Sequence, residues 1–405
     1  MIKRITHPNG NLAGKLEVTG SKSESNRALI LQALYPSIKL DNLSNSDDTR
    51  VLGEALKKNS GIIDIHHAGT AMRFLTAYFA AKEDANVILT GSKRMKERPI
   101  ELLVDALRSL GADIEYTEKE GFPPLQIKGK KFSEAAVTLK ANISSQYISA
   151  LMLIASSLPE GLQITLKGPV TSTPYINMTL ELLRYFGFSA DFNGQKIVVA
   201  PGDNIAEKTL TIESDWSSAS YFYSLVAISA QAEIELSSYK RDSRQGDAEV
   251  AAIFEHLGVK TEYLENSIKL SRKNHKHPRS LKLDLQNTPD LAQTISVCCL
   301  ALGVGCELYG LHTLKIKETD RLLALKTEME KFGATVEITD DCLKLSPPAK
   351  LKEGVSVATY NDHRMAMAFA PLALKVPVEI QEAEVVSKSY PDFWEHMETL
   401  GFTEV

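Results

Sequence analysis

The chain repeats itself along its 405 residues. A helical stretch that ends in a large apolar residue and a glycine, followed by a short alternating strand, occurs five times. Its glycines lie 76, 71, 75 and 68 residues apart and are Gly111, Gly187, Gly258, Gly333 and Gly401. Glycine ends a helix in the left-handed conformation without steric cost. A period of about 70 residues is too long for a solenoid and predicts a supersecondary repeat with two helices and several strands.

A second element has the same period, namely a cluster of small polar residues followed by an apolar helix. Its markers are spaced 47, 75, 72, 73 and 72 residues apart and are Ser23, Thr70, Ser145, Ser217, Asp290 and Asp362. These helices are apolar nearly all round, so we expect them to be buried. We expect Ser, Thr, Asp or Asn to cap each N-terminus. The short first step, with a degenerate helix-turn copy near Asn59 to Gly61, predicts that one of six repeats is shortened.

Composition excludes several function classes. The formal net charge of -5 argues against a dedicated nucleic-acid binder but allows a local basic cleft. The longest apolar stretches, such as 148–158, fall short of the roughly 18 residues that span a bilayer. The N-terminus has no apolar secretory core, so we expect a soluble cytoplasmic protein. The four cysteines contain no C-x-x-C pair, and we expect no metal site.

Basic and hydroxyl-bearing residues recur where the apolar helices begin. Lys22, Ser23 and Arg27 start the first helix, and Ser23 and Arg27 share one face because they are four residues apart. Taken singly, such residues are also those of ordinary helix caps and solvated loops. Because they recur at the same point of successive repeats, where helix N-termini carry partial positive charge, they predict a cleft for one or two small polyanions.

Two acidic residues lie among these cations. Asp290 begins an apolar helix, and Glu318 lies in KIKETDR beside Lys317 and Arg321. Asp290 alone reads as a helix cap. In a dry cleft rich in cations, the same two carboxyl groups would serve as base and acid, because their neighbours decide which one holds a proton.

Several motifs resemble those of the 3-phosphoshikimate 1-carboxyvinyltransferases, the 5-enolpyruvylshikimate-3-phosphate synthase family of enolpyruvyl transferases. They run in order from about residue 12 to about residue 395 and are GSKSESNRAL, AGTAMR, RMKERP, SSQ, KETDR, YNDHRMAM and SKSYPDFWE. The resemblance implies an α/β fold of two similar lobes, each of three βαβαββ repeats around buried helices, an inside-out α/β barrel. It implies one lobe from residues 1–20 and 213–405, a second from 21–212, and an active site in the cleft between them.

The resemblance also implies a reaction of the shikimate pathway, which leads to chorismate and the aromatic amino acids. The enolpyruvyl group of phosphoenolpyruvate moves to the 5-hydroxyl of shikimate 3-phosphate through a tetrahedral intermediate, and phosphate is released. The family uses no metal and no organic cofactor. We expect small-molecule substrates alone, no nucleic acid or membrane partner, and a monomer.

Site residues follow from the resemblance, position by position. Asp290 would be the base, and Glu318 with Lys22 would handle the proton at the methylene carbon. The residues expected to bind shikimate 3-phosphate are Lys22, Ser23, Arg27, Ser144, Ser145, Gln146, Ser172, Asp290 and Lys317, with Tyr175 nearby. Those expected to bind phosphoenolpyruvate are Lys22, Gly69, Arg98, Gln146, Arg321, Arg364 and Lys388.

The chain departs from the family pattern in three places. His67 stands where the family usually has Asn, so we expect the local shape near Gly69 to differ from that of the family. Thr313 stands where Asn is frequent, so we expect one contact to the sugar-like ring to be weaker or missing. The segment between Asp48 and Arg73 is about half the usual length, so we expect one strand pair to be missing there.

Two alternatives stay open at this point. An enolpyruvyl transferase acting on UDP-N-acetylglucosamine shares the fold, but that family typically carries a reactive cysteine in its basic loop, and 91–99 has none here. A non-catalytic polyanion-binding repeat protein would explain the cations and hydroxyls but leaves Asp290 and Glu318 without a role.

Overall fold

The computed structural model describes residues 1–141, 144–168, 170, 173–202, 205–274 and 276–405. Its strands are β1 (Lys3–Thr6), β2 (Asn11–Leu16), β3 (Ile38–Asp41), β4 (Ser60–Asp64), β5 (Asn86–Thr90), β6 (Asp113–Tyr116), β7 (Leu125–Lys128), β8 (Ala136–Lys140), β9 (Leu162–Lys167), β10 (Ala190–Phe192), β11 (Lys196–Val199), β12 (Lys208–Thr211), β13 (Gln231–Ser237), β14 (Val259–Tyr263), β15 (Ser267–Arg272), β16 (Ser280–Asp284), β17 (Gly305–Tyr309), β18 (Thr335–Ile338), β19 (Leu343–Ser346), β20 (Val355–Val357), β21 (Val378–Ile380) and β22 (Thr403–Glu404).

Its α-helices are α1 (Lys22–Leu34), α2 (Asp47–Leu56), α3 (Gly69–Ala81), α4 (Lys93–Lys96), α5 (Glu101–Ser109), α6 (Ser145–Ala155), α7 (Thr173–Tyr185), α8 (Trp216–Ile228), α9 (Val250–Glu255), α10 (Ala292–Leu302), α11 (Arg321–Lys331), α12 (His363–Phe369) and α13 (Phe393–Thr399). Short 3-10 turns lie at Gly246–Glu249, Pro289–Leu291, His312–Ile316, Ala370–Leu374 and Ala383–Lys388. No described helix is both long enough and apolar enough to cross a membrane.

The chain forms two compact units. One, the terminal unit, consists of Met1–Gly20 and Glu213–Val405. The other, the middle unit, consists of Ser21–Ile212. Each unit has its own apolar core of buried side chains.

The terminal unit contains three sheets of the same design. Their strand orders are β2-β13-β15-β14, β16-β17-β19-β18 and β20-β21-β1-β22. In each sheet the first two strands pair in parallel and the other two pairings are antiparallel. Parallel neighbours need a crossover connection, and in the second of these sheets the chain runs through β16, α10, β17, α11, β18 and β19 in that order. The repeat order strand–helix–strand–helix–strand–strand is thereby confirmed.

The middle unit contains two sheets of this design and a third sheet of only two strands. Two of its sheets have the orders β4-β5-β7-β6 and β8-β9-β11-β10, with the same pairing directions. The third consists of β3 and β12 alone, paired in parallel from Ile38 with Lys208 to Asp41 with Thr211. The strand pair expected to be missing after α2 is absent from the described residues.

Each core is built around the apolar helices. In α3 the side chains from Ala71 to Ala80 are buried, and α8 is buried over nearly its whole length. Burying a large aliphatic or aromatic side chain contributes about 1.5–3 kcal/mol, so these helices dominate the stability of their units. The five repeat glycines all have positive φ, between 82° and 107°, as their position after a helix requires.

The prediction that polar side chains cap the N-termini of the apolar helices is confirmed for four of them. Ser21, Ser144, Asp215 and Asp362 cap α1, α6, α8 and α12 through their side chains. It is wrong for α3, which begins after Ala68 without a side-chain cap. Helix α10 also has no side-chain cap, because the 3-10 turn that carries Asp290 leads directly into it.

Candidate active site: a cluster of charged groups in each unit

The terminal unit gathers seven charged side chains, four of them where its helices begin. We call them the carboxylate–arginine cluster, which consists of Asp290, Lys317, Glu318, Arg321, Asp362, Arg364 and Lys388. Asp362 caps α12, so Arg364 lies in the first turn of that helix. Asp320 caps α11 and thereby fixes Arg321 as its first residue. Helix starts therefore position four of the seven groups, including Asp290 before α10.

Arg321 is the centre of this cluster. Its side chain is 2 % exposed and contacts three carboxylates. Nε donates to Asp362 Oδ2 at 2.6 Å, Nη1 to Asp290 Oδ1 at 2.8 Å and Nη2 to Glu318 Oε2 at 2.9 Å. Burial alone lowers an arginine pKa, but these three anions outweigh it and raise the pKa of Arg321. Arg321 is thus a permanent cation that holds three acids in fixed positions.

Asp290 lies between two arginines. Arg364 Nη2 donates to its Oδ2 at 2.9 Å, opposite the contact of Arg321 with Oδ1. Lys317 Nζ lies 3.6 Å from Oδ1. Burial opposes ionisation of this carboxyl group, but Arg364, Lys317 and Arg321 outweigh it and hold the pKa of Asp290 well below its usual range. The carboxylate is therefore ionised at neutral pH, and its basicity depends on what occupies its cations.

Glu318 shares its charge between two cations. Its Oε2 accepts from Arg321, and its Oε1 lies 3.6 Å from Lys388 Nζ. Lys388 is buried at the end of a 3-10 turn. The cluster thus brings together all six site residues that the sequence predicted in this unit, namely Asp290, Lys317, Glu318, Arg321, Arg364 and Lys388.

A further acid lies beside this cluster. Asp247 is buried and accepts a hydrogen bond from the Ser217 hydroxyl. The Ser217 Oγ also accepts from Arg364 Nη2 at 3.3 Å. Burial, with the nearby charge of Asp290, raises the pKa of Asp247 to about 6.

This raised pKa predicts a pH-dependent loss of stability. The native state keeps the Asp247 proton up to about pH 6, whereas the unfolded chain releases it near pH 4. The free energy of unfolding therefore falls as pH rises between these values. Asp247→Asn cannot ionise, so its stability relative to the native protein should increase by up to about 3 kcal/mol between pH 4 and pH 7. Urea unfolding at both pH values measures this difference. The exposed Asp242→Asn is the control, and parallel pH profiles for native protein and Asp247→Asn would contradict the prediction.

The middle unit has its own set of polar groups at helix starts. We call it the serine–lysine cluster, which consists of Lys22, Ser23, Arg27, Gly69, Arg98, Ser144, Ser145 and Gln146. Ser21 caps α1, so Lys22 and Ser23 lie in its first turn. Ser144 caps α6, which places Ser145 and Gln146 at the start of that helix. Helices α1, α3 and α6 pack against one another.

Arg27 is held firmly by protein acceptors. Its side chain is buried, and Nε donates to Thr179 Oγ1 at 2.8 Å. Nη1 donates to the Ser23 carbonyl at 2.8 Å, and Nη2 to Ser149 Oγ at 3.0 Å and to the Tyr175 carbonyl at 3.4 Å. Burial lowers the pKa of Arg27 to about 10, so the group stays charged at neutral pH. One of its five N–H groups has no acceptor among the described residues.

Gly69 and Arg98 are in close contact. A β-carbon at position 69 would lie 2.6 Å from Arg98 Nη1, so the absence of a side chain makes room for the guanidinium over the start of α3. Gln146 Nε2 donates to Thr70 Oγ1 at 3.1 Å. This hydrogen bond connects the first turns of α6 and α3 and orients the Gln146 amide.

Lys22 lies beside an acid that the sequence reasoning missed. Its Nζ is 3.7 Å from Oδ2 of the buried Asp48. The reasoning also gave no role to Asp362, Asp247 or Ser217. Asp362 and Ser217 were repeat markers, which is a usable signal, whereas Asp48 and Asp247 had none. Ser172 lies outside the described residues, so its place in this cluster is not described.

The sequence of the chain is similar to those of known proteins. The model of the EPSP synthase (3-phosphoshikimate 1-carboxyvinyltransferase) family matches residues 49–397. A 3-phosphoshikimate 1-carboxyvinyltransferase of Bacteroides fragilis (strain YCH46) is 47% identical over 391 residues, which cover 96% of this chain and 95% of that protein. The enzyme of that name from Erwinia tasmaniensis is 37% identical over 418 residues, covering 96% of each chain.

Solved structures show the same fold. An EPSP synthase from Acinetobacter baumannii superimposes with a TM-score of 0.79 over 100% of both chains, at 21% identity. The enolpyruvyl transferase NikO from Streptomyces tendae gives 0.74 over 100% of this chain and 99% of that one, at 14% identity. At these identities the likeness concerns the fold alone, whereas the sequence matches concern the family. The resemblance drawn from the motifs is confirmed, and the chain belongs to the EPSP synthase family.

Proposed function

We propose that the two clusters together carry out the reaction of this family, the transfer of the enolpyruvyl group of phosphoenolpyruvate to the 5-hydroxyl of shikimate 3-phosphate with release of phosphate. The observation that carries the assignment of residues is Arg321, a buried cation that contacts Asp290, Glu318 and Asp362 at once. A binding protein for polyanions needs cations. It has no need for two carboxylates held among those cations.

The charges of the substrates explain the number of cations. Two phosphates and two carboxylates must be brought together in one reaction, and each needs fixed counter-charges. We assign phosphoenolpyruvate to Lys22, Gly69, Arg98, Gln146, Arg321, Arg364 and Lys388. We assign shikimate 3-phosphate to Lys22, Ser23, Arg27, Ser144, Ser145, Gln146, Ser172, Asp290 and Lys317.

Asp290 is the proposed base. The low pKa of this carboxylate in the free protein makes it a weak one, because three cations share its charge. Substrate anions that bind to Arg321 and Arg364 compete for those cations. The basicity of Asp290 then rises as the substrates bind, so that it accepts the proton of the 5-hydroxyl while the oxygen bonds to the central carbon of phosphoenolpyruvate.

Glu318, assisted by Lys22, is the proposed acid. Substrate anions that bind to Arg321 and Lys388 compete for the cations of Glu318 as well, so that its carboxylate takes up a proton from solvent. Glu318 then delivers this proton to the methylene carbon as the new carbon–oxygen bond forms, which gives a tetrahedral intermediate with a methyl group. In the second half, a proton returns from that methyl group to Glu318, the carbon–carbon double bond forms again, and the bond to the phosphate oxygen breaks. Phosphate carries away the electron pair of that bond. Arginine and lysine donors already in place stabilise the developing charge.

An assay of phosphate release tests the proposal. Phosphate should appear only when phosphoenolpyruvate and shikimate 3-phosphate are both present, and the organic product should carry the enolpyruvyl group. UDP-N-acetylglucosamine replaces shikimate 3-phosphate in a parallel reaction and should give none. Release with the nucleotide sugar, or with phosphoenolpyruvate alone, would contradict the proposed acceptor.

The cellular compartment and the oligomeric state are also proposals. Both substrates are multiply charged and cross lipid bilayers poorly, so the enzyme must share the compartment in which they are made, which we propose to be the cytoplasm. We propose a monomer, because each unit has its own apolar core. Sedimentation analysis measures the mass directly.

A further inference from the structure

Asp48 is a buried acid that lies between two basic side chains of the middle unit. The residue is 3 % exposed. Its Oδ2 lies 3.7 Å from Lys22 Nζ, and its Oδ1 lies 3.9 Å from His67 Nε2. Oδ1 has no hydrogen-bond partner among the described residues. A buried carboxylate oxygen without a hydrogen bond is costly, so this atom marks a position where a donor is to be expected.

The backbone around His67 is fixed on both sides. His67 lies in the turn between β4 and α3, in which the Ala68 N–H donates to the Ile65 carbonyl. His66 has a left-handed backbone with φ of 49°, and its N–H donates to Asp64 Oδ1 at 2.7 Å. The N–H of Ser92 donates to the His66 carbonyl. These three hydrogen bonds hold the turn that brings the His67 imidazole near Asp48.

The position of Asp48 is also fixed, by the helix on which it lies. It lies in the first turn of α2, which Ser46 caps by accepting from the Thr49 N–H. Helices α1 and α2 pack against each other, which brings Asp48 close to Lys22 in the first turn of α1. The other charged or titratable groups near this place lie on α1, α2, β4, α3 and the adjoining turns and are Lys22, Glu24, Arg27, Asp47, Arg50, Glu54, Asp64, His66, Arg73 and Arg98.

We propose that the Asp48 carboxylate is the counter-ion of both Lys22 and His67. When His67 is protonated, the carboxylate pairs with His67 in place of Lys22. Histidine changes its charge near pH 6.5, whereas lysine stays charged throughout this range. When His67 is neutral, the carboxylate compensates the charge of Lys22. When His67 is protonated, the imidazolium becomes a second cation beside the Asp48 carboxylate. Its Nε2 needs to move by less than 1 Å to reach hydrogen-bond distance of Asp48 Oδ1. The charge of Lys22 is then available to a substrate anion.

The inference rests on the proposed function, which places Lys22 at phosphoenolpyruvate. It makes His67 a positioning residue that acts through Asp48. The KM for phosphoenolpyruvate is therefore lower at acidic pH than it would be without His67. Because the His67 side chain is 45% exposed, solvent weakens the effect, and we expect about a three- to fivefold change in KM.

The test compares His67→Asn with the native enzyme at pH 5.5 and pH 8.0. The phosphate of phosphoenolpyruvate also titrates in this range, but the ratio of variant KM to native KM cancels that contribution. The ratio should be near one at pH 8.0 and about three to five at pH 5.5. His66→Asn is the matched control, because it removes a neighbouring imidazole, and Asn tolerates the left-handed backbone. Its KM should follow the native enzyme at both pH values.

Asp48→Asn supplies the second arm. In its presence, changing His67 to Asn should have no effect on KM at either pH, because the shared acid is already gone. Proton NMR should show that the His67 ring titrates at lower pH in Asp48→Asn than in the native enzyme, since an opposite charge has been removed. Unchanged His67 titration, or a variant-to-native KM ratio equal at both pH values, would overturn the inference. Failure of phosphate release would instead refute the proposed function, and the NMR comparison would still report on the pair.

Discussion

Arg321→Met should be the most damaging single substitution in the terminal unit. It removes the guanidinium from three carboxylates and leaves Asp290, Glu318 and Asp362 facing one another. Breaking a buried ion pair by removing one partner typically costs 3–5 kcal/mol. We expect the free energy of unfolding to fall by about that amount at pH 7, and turnover to fall by roughly a thousandfold. The loss of stability should be smaller at pH 5, where protonation relieves the repulsion.

Chemical denaturation at both pH values measures the stability of Arg321→Met. Arg184→Met is the matched control, since Arg184 pairs with Asp191 at 3.0 Å on the surface, where a pair contributes less than about 1 kcal/mol. If Arg321→Met does not fold, Arg321→Lys keeps the charge but loses the planar three-way contact, and it should lie between the two. If the free energy of unfolding falls equally in Arg321→Met and Arg184→Met, the three-carboxylate contact contributes no more to stability than a surface ion pair.

Glu318→Gln and Asp290→Asn should each lower turnover by roughly a hundredfold or more, the usual contribution of a general acid or base. Both amides still accept hydrogen bonds from Arg321, so binding of shikimate 3-phosphate should change little for Glu318→Gln. Arg27→Ala should weaken that binding much more. Exchange of the methylene protons of phosphoenolpyruvate with solvent deuterium, followed by NMR, should slow in Glu318→Gln.

Glu330→Gln is the matched control for the acid. It lies on the same helix, α11, and pairs with Lys326 at 2.6 Å in a partly exposed position away from the cluster. Its turnover should equal that of the native enzyme. If Glu318→Gln retains full turnover and exchange, another group moves this proton, and Lys22 is the first to examine.

The periodic features of the fold were readable from the sequence because they have a local physical cause. Gly111 and Gly333 end helices in a conformation that favours glycine, with φ of 107° and 96°. Buried helices such as α3 and α8 are apolar nearly all round, whereas a surface helix has a polar face. The missing strand pair was readable from spacing alone. Residues of the charged site could be named from the motifs, and the helix starts explain why those motifs recur at one point of each repeat.

Contacts between distant segments were not readable in the same way. Asp247 meets Ser217 across 30 residues, and Arg321 meets Asp362 across 41. Such pairs depend on how strands and helices pack, and a lone Asp near a glycine carries no sign of its partner. The prediction of a side-chain cap for α3 was wrong for a related reason. The turn before it is closed by Asp64 and by Ser92, so Ala68 begins the helix without a side-chain cap.

The position of β1 has a consequence for how the protein is made. This strand precedes the middle unit in the chain, whereas its partners follow it: β1 pairs with β21 on one side and with β22 on the other, where Ile5 faces Glu404. Its sheet is completed only when β22 has left the ribosome. The middle unit, which ends at Ile212, has by then been available to fold for roughly 10–40 s at ordinary rates of translation. During this time β1 has no strand partner, and Lys3 and Arg4 within it give it the charge that discourages pairing with other chains.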